Sequence, residues 1–266
     1  MRSAFALIRA SILTAASYRL AWVISILSLA FQIVPTYYVG RTLDPFLGAA
    51  IKGEASDYFG FLVMGTVDYL LLAAAVDSLP RALERGINTG TLELIFSTPS
   101  SVPSLLVGLT GYELLWATAR CIVVLAAAAA FGFHAHWLRF GEAAVILAMI
   151  VATYFGLGMI AGALIIAYRR TGPFQTVVIV GSAMLGGVMY PVKLVPSWAA
   201  RFSDLVPMRY GIRAVRWITV DDWPLRAVLP DVGTLSVFCV AFLALGSLAM
   251  TYALRRARAE GTLSQY

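Results

Sequence analysis

Lysine is almost missing from this sequence: among 266 residues there are two, Lys52 and Lys193. Neither follows a glycine-rich turn, so the chain cannot form the Walker A loop that cradles a nucleotide's phosphates. Charge of both signs is scarce as well. Charged residues make up 13% of the chain, roughly half the share of a soluble domain, while hydrophobic residues reach 60% and mean hydropathy is +0.82. One buried core does not absorb a deficit of that size; it makes lipid the solvent for most of the chain. Cysteine and histidine are rare too. Cys121 and Cys239 each sit inside an apolar run with no partner in a polar loop, which argues against a disulfide framework. His134 and His136 stand beside Trp137 without further ligands nearby, so they read as interfacial residues and no metal site is expected. His-Glu-x-x-His and Gly-x-Ser-x-Gly are both missing, and no catalytic residue is assigned. The chain reads as a non-enzyme with no cofactor of its own.

What is present is a series of long apolar runs. Six of them, at about residues 20–40, 59–79, 104–133, 143–168, 174–192 and 232–254, have the length a bilayer crossing needs. They lack strand alternation, and a backbone in lipid must satisfy its own hydrogen bonds, so each is expected to be a helix. The fold class is therefore an all-α polytopic membrane protein, a single domain over residues 1–266. Arg2 and Arg9 precede the first run as they would in a signal peptide. The run continues past Ser28-Leu29-Ala30 to Gly40, however, which favours a retained anchor. The stretch before it, residues 2–18, mixes Phe5, Ile8, Ile12 and Leu13 with arginine and reads as an interfacial helix.

The net charge of +6 is almost all arginine. Arginine at helix ends suits anionic lipid head groups, and no soluble basic face exists to hold nucleic acid. With the N- and C-termini cytoplasmic, Arg81, Arg85, Arg169, Arg170, Arg255, Arg256 and Arg258 fall inside, as the positive-inside rule prefers. The segment 191–229 is the exception: it lies outside yet holds Lys193, Arg201, Arg209, Arg213, Arg216 and Arg226.

Two connections carry further information. After the second run, Gly90-Thr91-Leu92-Glu93 opens a short element in which Gly90 is acceptable as an N-cap and Glu93 complements the helix dipole. Leu92, Ile95 and Phe96 form its apolar stripe, and Pro99 ends it. It is either a helix lying on the membrane or a docking element for a soluble partner. After the fifth run, glycines 186 and 187 and Pro191 break the helix. Pro196-Ser197-Trp198 and Pro207-Met208-Arg209-Tyr210 then bracket an aromatic, arginine-containing stretch of the composition that a head-group region selects.

Both connections, in this order within a six-span chain, resemble the ABC-2 type permeases, the membrane subunits of type V ABC exporters. The resemblance covers essentially the whole chain. It implies that residues Gly90, Thr91, Leu92, Glu93, Ile95, Phe96 and Pro99 belong to a cytoplasmic coupling helix that seats in an ATPase subunit. It likewise implies an external re-entrant hairpin containing Pro191, Pro196, Trp198, Pro207 and Tyr210, placed between helices 5 and 6. Family members often carry a charged cluster directly before the Gly-Thr, whereas this chain has Ile87-Asn88-Thr89 there. The partners implied are two copies of an ABC ATPase supplying ATP and Mg chemistry, a second permease copy or homologous permease, and membrane lipids. The location implied is a bacterial cytoplasmic membrane, and the activity export of an amphipathic or lipophilic cargo such as a drug, lipid or glycoconjugate.

Three ionisable residues lie inside the runs: Asp68, Glu113 and Arg120. Such groups are costly in lipid and face a partner or a cavity. Counting about 1.5 Å per residue, Arg120 is within reach of Asp68, which leaves Glu113 to another partner or to water. The pair reads either as a structural link between helices 2 and 3 or as a lining of the pathway. Two other functions use the same features, an ion channel or secondary carrier working through these three residues, or a scaffold that transports nothing.

Overall fold

The computed structural model describes residues 7–9, 12–13, 19–52, 54–91, 102–168 and 173–259, and among them all regular structure is helical. The chain runs through α1 (Arg19–Ile51), α2 (Tyr58–Asn88), α3 (Val102–Ala130), α4 (Phe140–Tyr168), α5 (Phe174–Leu185), α6 (Ser197–Ser203), α7 (Pro207–Thr219) and α8 (Leu225–Ala259). Short 3-10 turns, Trp137–Arg139 and Val192–Leu194, precede α4 and α6. Of the N-terminal interfacial helix only residues 7–9 and 12–13 are described, and both stretches are helical.

Five helices, α1 to α4 and α8, are long and apolar enough to cross a membrane. The fifth of the six expected spans is shorter than its apolar run. α5 has 12 residues, about 18 Å of helix against a hydrocarbon core of about 30 Å. Gly186 caps it, and Gly187 turns the chain with a φ of +76°, a region open to glycine at little cost. Other helices overrun their apolar runs. α1 carries Pro35 and Pro45 inside and continues past Gly40 to Ile51, while α2 continues through Arg81 and Arg85. Charged side chains at such ends reach the interface while their stems stay apolar, so hydropathy alone underestimates the helices.

α2 is the axis of the fold. It packs against α1, α3, α4, α5 and α7, and α4 in turn packs against α7 and α8. The most apolar stretch of α2 is 78% buried within the chain, against 44% or less for the other four long helices. Its start is fixed twice over: the Asp57 carboxylate accepts from the Gly60 N–H at 3.2 Å, and Asp44 accepts from the Tyr58 N–H at 2.8 Å. Both satisfy donors that a helix N-terminus leaves open. The small residues of α4 serve packing inside the chain. A Cβ on Gly156 would stand 2.5 Å from the Phe242 carbonyl of α8, and one on Gly158 2.7 Å from the Ala75 carbonyl of α2. Backbones approach this closely only where side chains are missing.

Candidate functional site

The N-terminal end of α2 meets the broken end of α5, and one side chain joins them. Arg216, on α7, is 1% exposed. Its guanidinium donates to the carbonyl oxygens of Gly187 (2.9 Å), Val188 (2.8 Å) and Phe61 (3.0 Å). It also lies 3.4 Å from the centre of the Phe61 ring, a cation–π arrangement strengthened by desolvation. The break in α5 leaves carbonyls without helical partners, and Arg216 supplies the donors. Tyr58 adds another, its hydroxyl donating to the Met189 carbonyl at 2.8 Å. The approach is tight enough that a Cβ at Gly65 would meet the Val188 oxygen at 2.1 Å.

This arginine corrects the head-group reading of the external segment. Met208, Ile212, Val215, Arg216 and Thr219 all lie on the buried face of α7. Arg216 therefore falls at helical spacing within an apolar stripe, eight residues after Met208 and four after Ile212, which is the one signal in the sequence that marks it. Arg209 and Arg213, seven and three residues before Arg216, share a cleft of about 190 Å³ with it but are only partly buried. Arg213 bonds both oxygens of Asp231, at the start of α8, and rests 5.3 Å from the Trp217 ring centre. Arg209 pairs with Asp204, and the Tyr210 hydroxyl donates to the Asp204 carbonyl at 2.9 Å. Pro196 sits at the N-cap of α6 and Pro207 in the first turn of α7. Trp198, Phe202 and Leu205 point outward, each more than half exposed. Pro191 is extended at the start of the 3-10 turn.

Asp68 is fully buried, and neither carboxylate oxygen has a hydrogen-bond partner among the described residues. The pairing with Arg120 anticipated from helical rise is not made. Arg120 instead lines a cleft of about 180 Å³ with Asp77, Arg81 and Glu113, on the side of α2 opposite Asp68. The charge that answers Asp68 is Arg216: burial pushes the Arg216 guanidinium down to about 10, and Asp68 is the largest influence opposing that, followed by Glu54. Glu113 bonds Arg85 at 3.1 Å across the α2–α3 contact. The structure thus sets Asp68 on the α7 side of α2 and Glu113 and Arg120 on its other side, where Glu113 pairs with Arg85 near the opposite end of the helix.

At that opposite end, α2 closes with a Schellman motif. The Thr91 N–H donates to the Gly86 carbonyl (2.9 Å) and the Gly90 N–H to the Ile87 carbonyl (3.1 Å), with Gly90 at a φ of +66°. These are the two bonds that satisfy the last carbonyls of a helix. Gly90 therefore ends α2 rather than N-capping the following element, which needs an extended residue. Leu92, Glu93, Ile95, Phe96 and Pro99 lie outside the described residues.

Residues 4–220 match the family model described as ABC-2 type transporter. Among curated relatives, Nodulation protein J of Rhizobium leguminosarum bv. viciae is 26% identical over 217 residues, covering 80% of this chain and 81% of its own. Nodulation protein J of Sinorhizobium fredii is 25% identical over 240 residues, 87% of this chain and 88% of its own. That of Rhizobium leguminosarum bv. trifolii is 27% identical over 217 residues, 80% and 79% of the two chains.

Proposed function

The chain belongs to the ABC-2 type transporter family and is an ABC-transporter membrane subunit, and from that premise we propose that it is the export half of the machine. The observation that carries the reading is α2. It is one continuous helix whose outer end is bound to the hairpin through Arg216 and whose inner end leads through Gly90 and Thr91 into the segment read as the coupling helix. Two ATPase subunits bind beneath two membrane subunits, either two copies of this chain or this chain and a homologue. Nucleotide-driven closure of the ATPases moves the segment Gly90 to Pro99, and α2 carries the movement to the hairpin at the outer mouth. Such a shift needs a ligand that prefers one state, and ATP with Mg, held in the partner, provides it.

The termini are cytoplasmic in this reading, and the membrane is a bacterial cytoplasmic one. The arginines of the external segment then have a use of their own: Arg209, Arg213 and Arg216 are engaged by carboxylates and carbonyls of the same segment or its neighbours. α5 with the α6–α7 hairpin stands where a sixth full crossing was expected, and together they form the outer cap. The cargo is amphipathic or lipophilic.

The test is co-purification of an ABC ATPase with the full chain from native membranes, paired with export in whole cells. Leu92→Asp and Glu93→Arg are expected to abolish both while leaving the amount of membrane-inserted chain unchanged. Transport that continues without any ATPase would sink the reading in favour of a channel or secondary carrier.

A further inference from the structure

α3 and α4 both pack on α2 but scarcely touch each other. Between them runs a groove of about 690 Å³, floored by Val67 and Leu71 of α2 and closed at one side by Leu243 of α8. On α3 it extends from Val107 to Leu125 and on α4 from Phe140 to Phe155, about 27 Å and 22 Å at the helical rise. It therefore follows most of the depth of a hydrocarbon core of about 30 Å. Voids of this size are not left empty in well-packed structures, and the volume is in the range of ligand sites.

The lining states what can fill it. Nearly all of it is carbon, and its polar groups are already spent. Thr110 donates to the Leu106 carbonyl (2.9 Å) and Thr118 to the Leu114 carbonyl (3.0 Å), each within its own helix, while the Cys121 thiol donates to the Val67 carbonyl at 3.6 Å. A sugar, a head group or water gains no hydrogen bond here and loses those it had. One end is capped from within the chain, because the Ile8 side chain lies where a Cβ on Gly111 would be. The groove also faces away from the broken end of α5: Val67 and Leu71 lie on the side of α2 roughly opposite Gly65, where the Val188 carbonyl presses in. If the second membrane subunit packs on the side of α2 that carries α5, the groove opens to lipid and not to that subunit. This last step rests on the proposed subunit arrangement.

We propose that this groove holds the hydrocarbon chain of a membrane lipid as a resident component, bound by its tail with no recognition of the head group. The lipid takes the place of the missing α3–α4 contact. Each buried methylene changes occupancy by about fourfold, so shortening the groove by two methylenes is expected to lower occupancy about tenfold or more.

The full chain, purified with its natural partners and placed in lipid nanodiscs, is exposed to phospholipids carrying a diazirine near the end of one acyl chain. Photolabel is expected on peptides containing Leu114, Ile122, Ala144 and Ala148, in excess over the lipid-exposed face of α8 at Val237, Val240 and Leu248. Choline and glycerol head groups are expected to label alike. Ala148→Trp, and Ala144→Phe where the larger residue blocks folding, are expected to lower groove labelling about tenfold while labelling of α8 is kept. Equal labelling of groove and α8 means ordinary boundary lipid and overturns the proposal. So does labelling by only one head group, or a disulfide between copies at Thr118→Cys or Ala144→Cys. Loss of ATPase co-purification with groove labelling intact would remove the subunit arrangement and leave the lipid site standing.

Discussion

The two ends of α2 are held by different physics. The N-terminal end, outer in the proposed orientation, is fixed by buried, charge-assisted bonds from Arg216 to three backbone carbonyls, by the Tyr58 hydroxyl and by the Asp44 and Asp57 caps. The C-terminal, inner end is held by its Schellman turn, by Leu79 and Leu83 buried in an apolar core with Leu105, Met159 and Leu254, and by two ion pairs, Arg81–Asp77 and Arg85–Glu113, whose arginine side chains are 63% and 61% exposed. Buried bonds to charged groups are costly to break, whereas exposed pairs contribute little. The N-terminal end is the more rigidly registered of the two, since directional buried bonds fix it where apolar packing holds the other.

The largest expected effect is at the rigid end. Arg216→Met leaves the Gly187 and Val188 carbonyls unsatisfied and strands the Asp68 charge, which costs about 3–5 kcal/mol. The expected result is a marked loss of folded protein in a detergent thermal-melt assay. Asp68→Asn, which removes the counter-charge and adds no volume, is expected to cost less than Arg216→Met. Because the two groups answer each other, the double variant is expected to be less damaged than the sum of the single changes. Additive losses mean that Asp68 acts on something other than Arg216. If Asp68→Asn instead lowers export per molecule at normal protein level, Asp68 lines the pathway.

Gly90 offers an intermediate effect at the other end. Its φ of +66° costs any L side chain about 1 kcal/mol, so Gly90→Ala is expected to fray the last turn of α2 without unfolding the bundle. The readout is amide exchange of the Gly86 to Thr91 stretch, with global stability nearly unchanged. A global loss as large as that of Arg216→Met erases the contrast between the ends.

Much of this was legible in the sequence, and the failures share a cause. The long apolar runs located α1 to α4 and α8, because a bilayer imposes length and composition directly. α5 was read too long: hydropathy stays high through Val188 and Met189, and only the backbone turn at Gly186 and Gly187 stops the helix. Arg216 was read as a head-group residue, since arginine beside Trp217 and Tyr210 has the composition of an interface. The need for donors at a helix break is a tertiary fact. Its trace in the sequence is faint, an arginine on the same stripe as Met208 and Ile212. Asp68 was recognised as an anomaly and assigned the wrong partner, because rise along a helix gives depth and not azimuth. Arg120 has a matching depth and the opposite side of α2.

The smallest expected effect tests the comparison most sharply. Arg85 and Glu113 join α2 to α3 at 3.1 Å, with Arg85 largely exposed. A cycle of Arg85→Ala, Glu113→Ala and the double variant is expected to return a coupling of at most about 1 kcal/mol, and high salt is expected to reduce it further. A coupling several times larger makes the inner end as firmly tied as the outer one, and α2 then moves only together with α3. A small value leaves the apolar core shared by Leu79, Leu83, Leu105 and Leu106 as the tie between α2 and α3 there, while Arg216 holds the first turns of α2 by directional bonds.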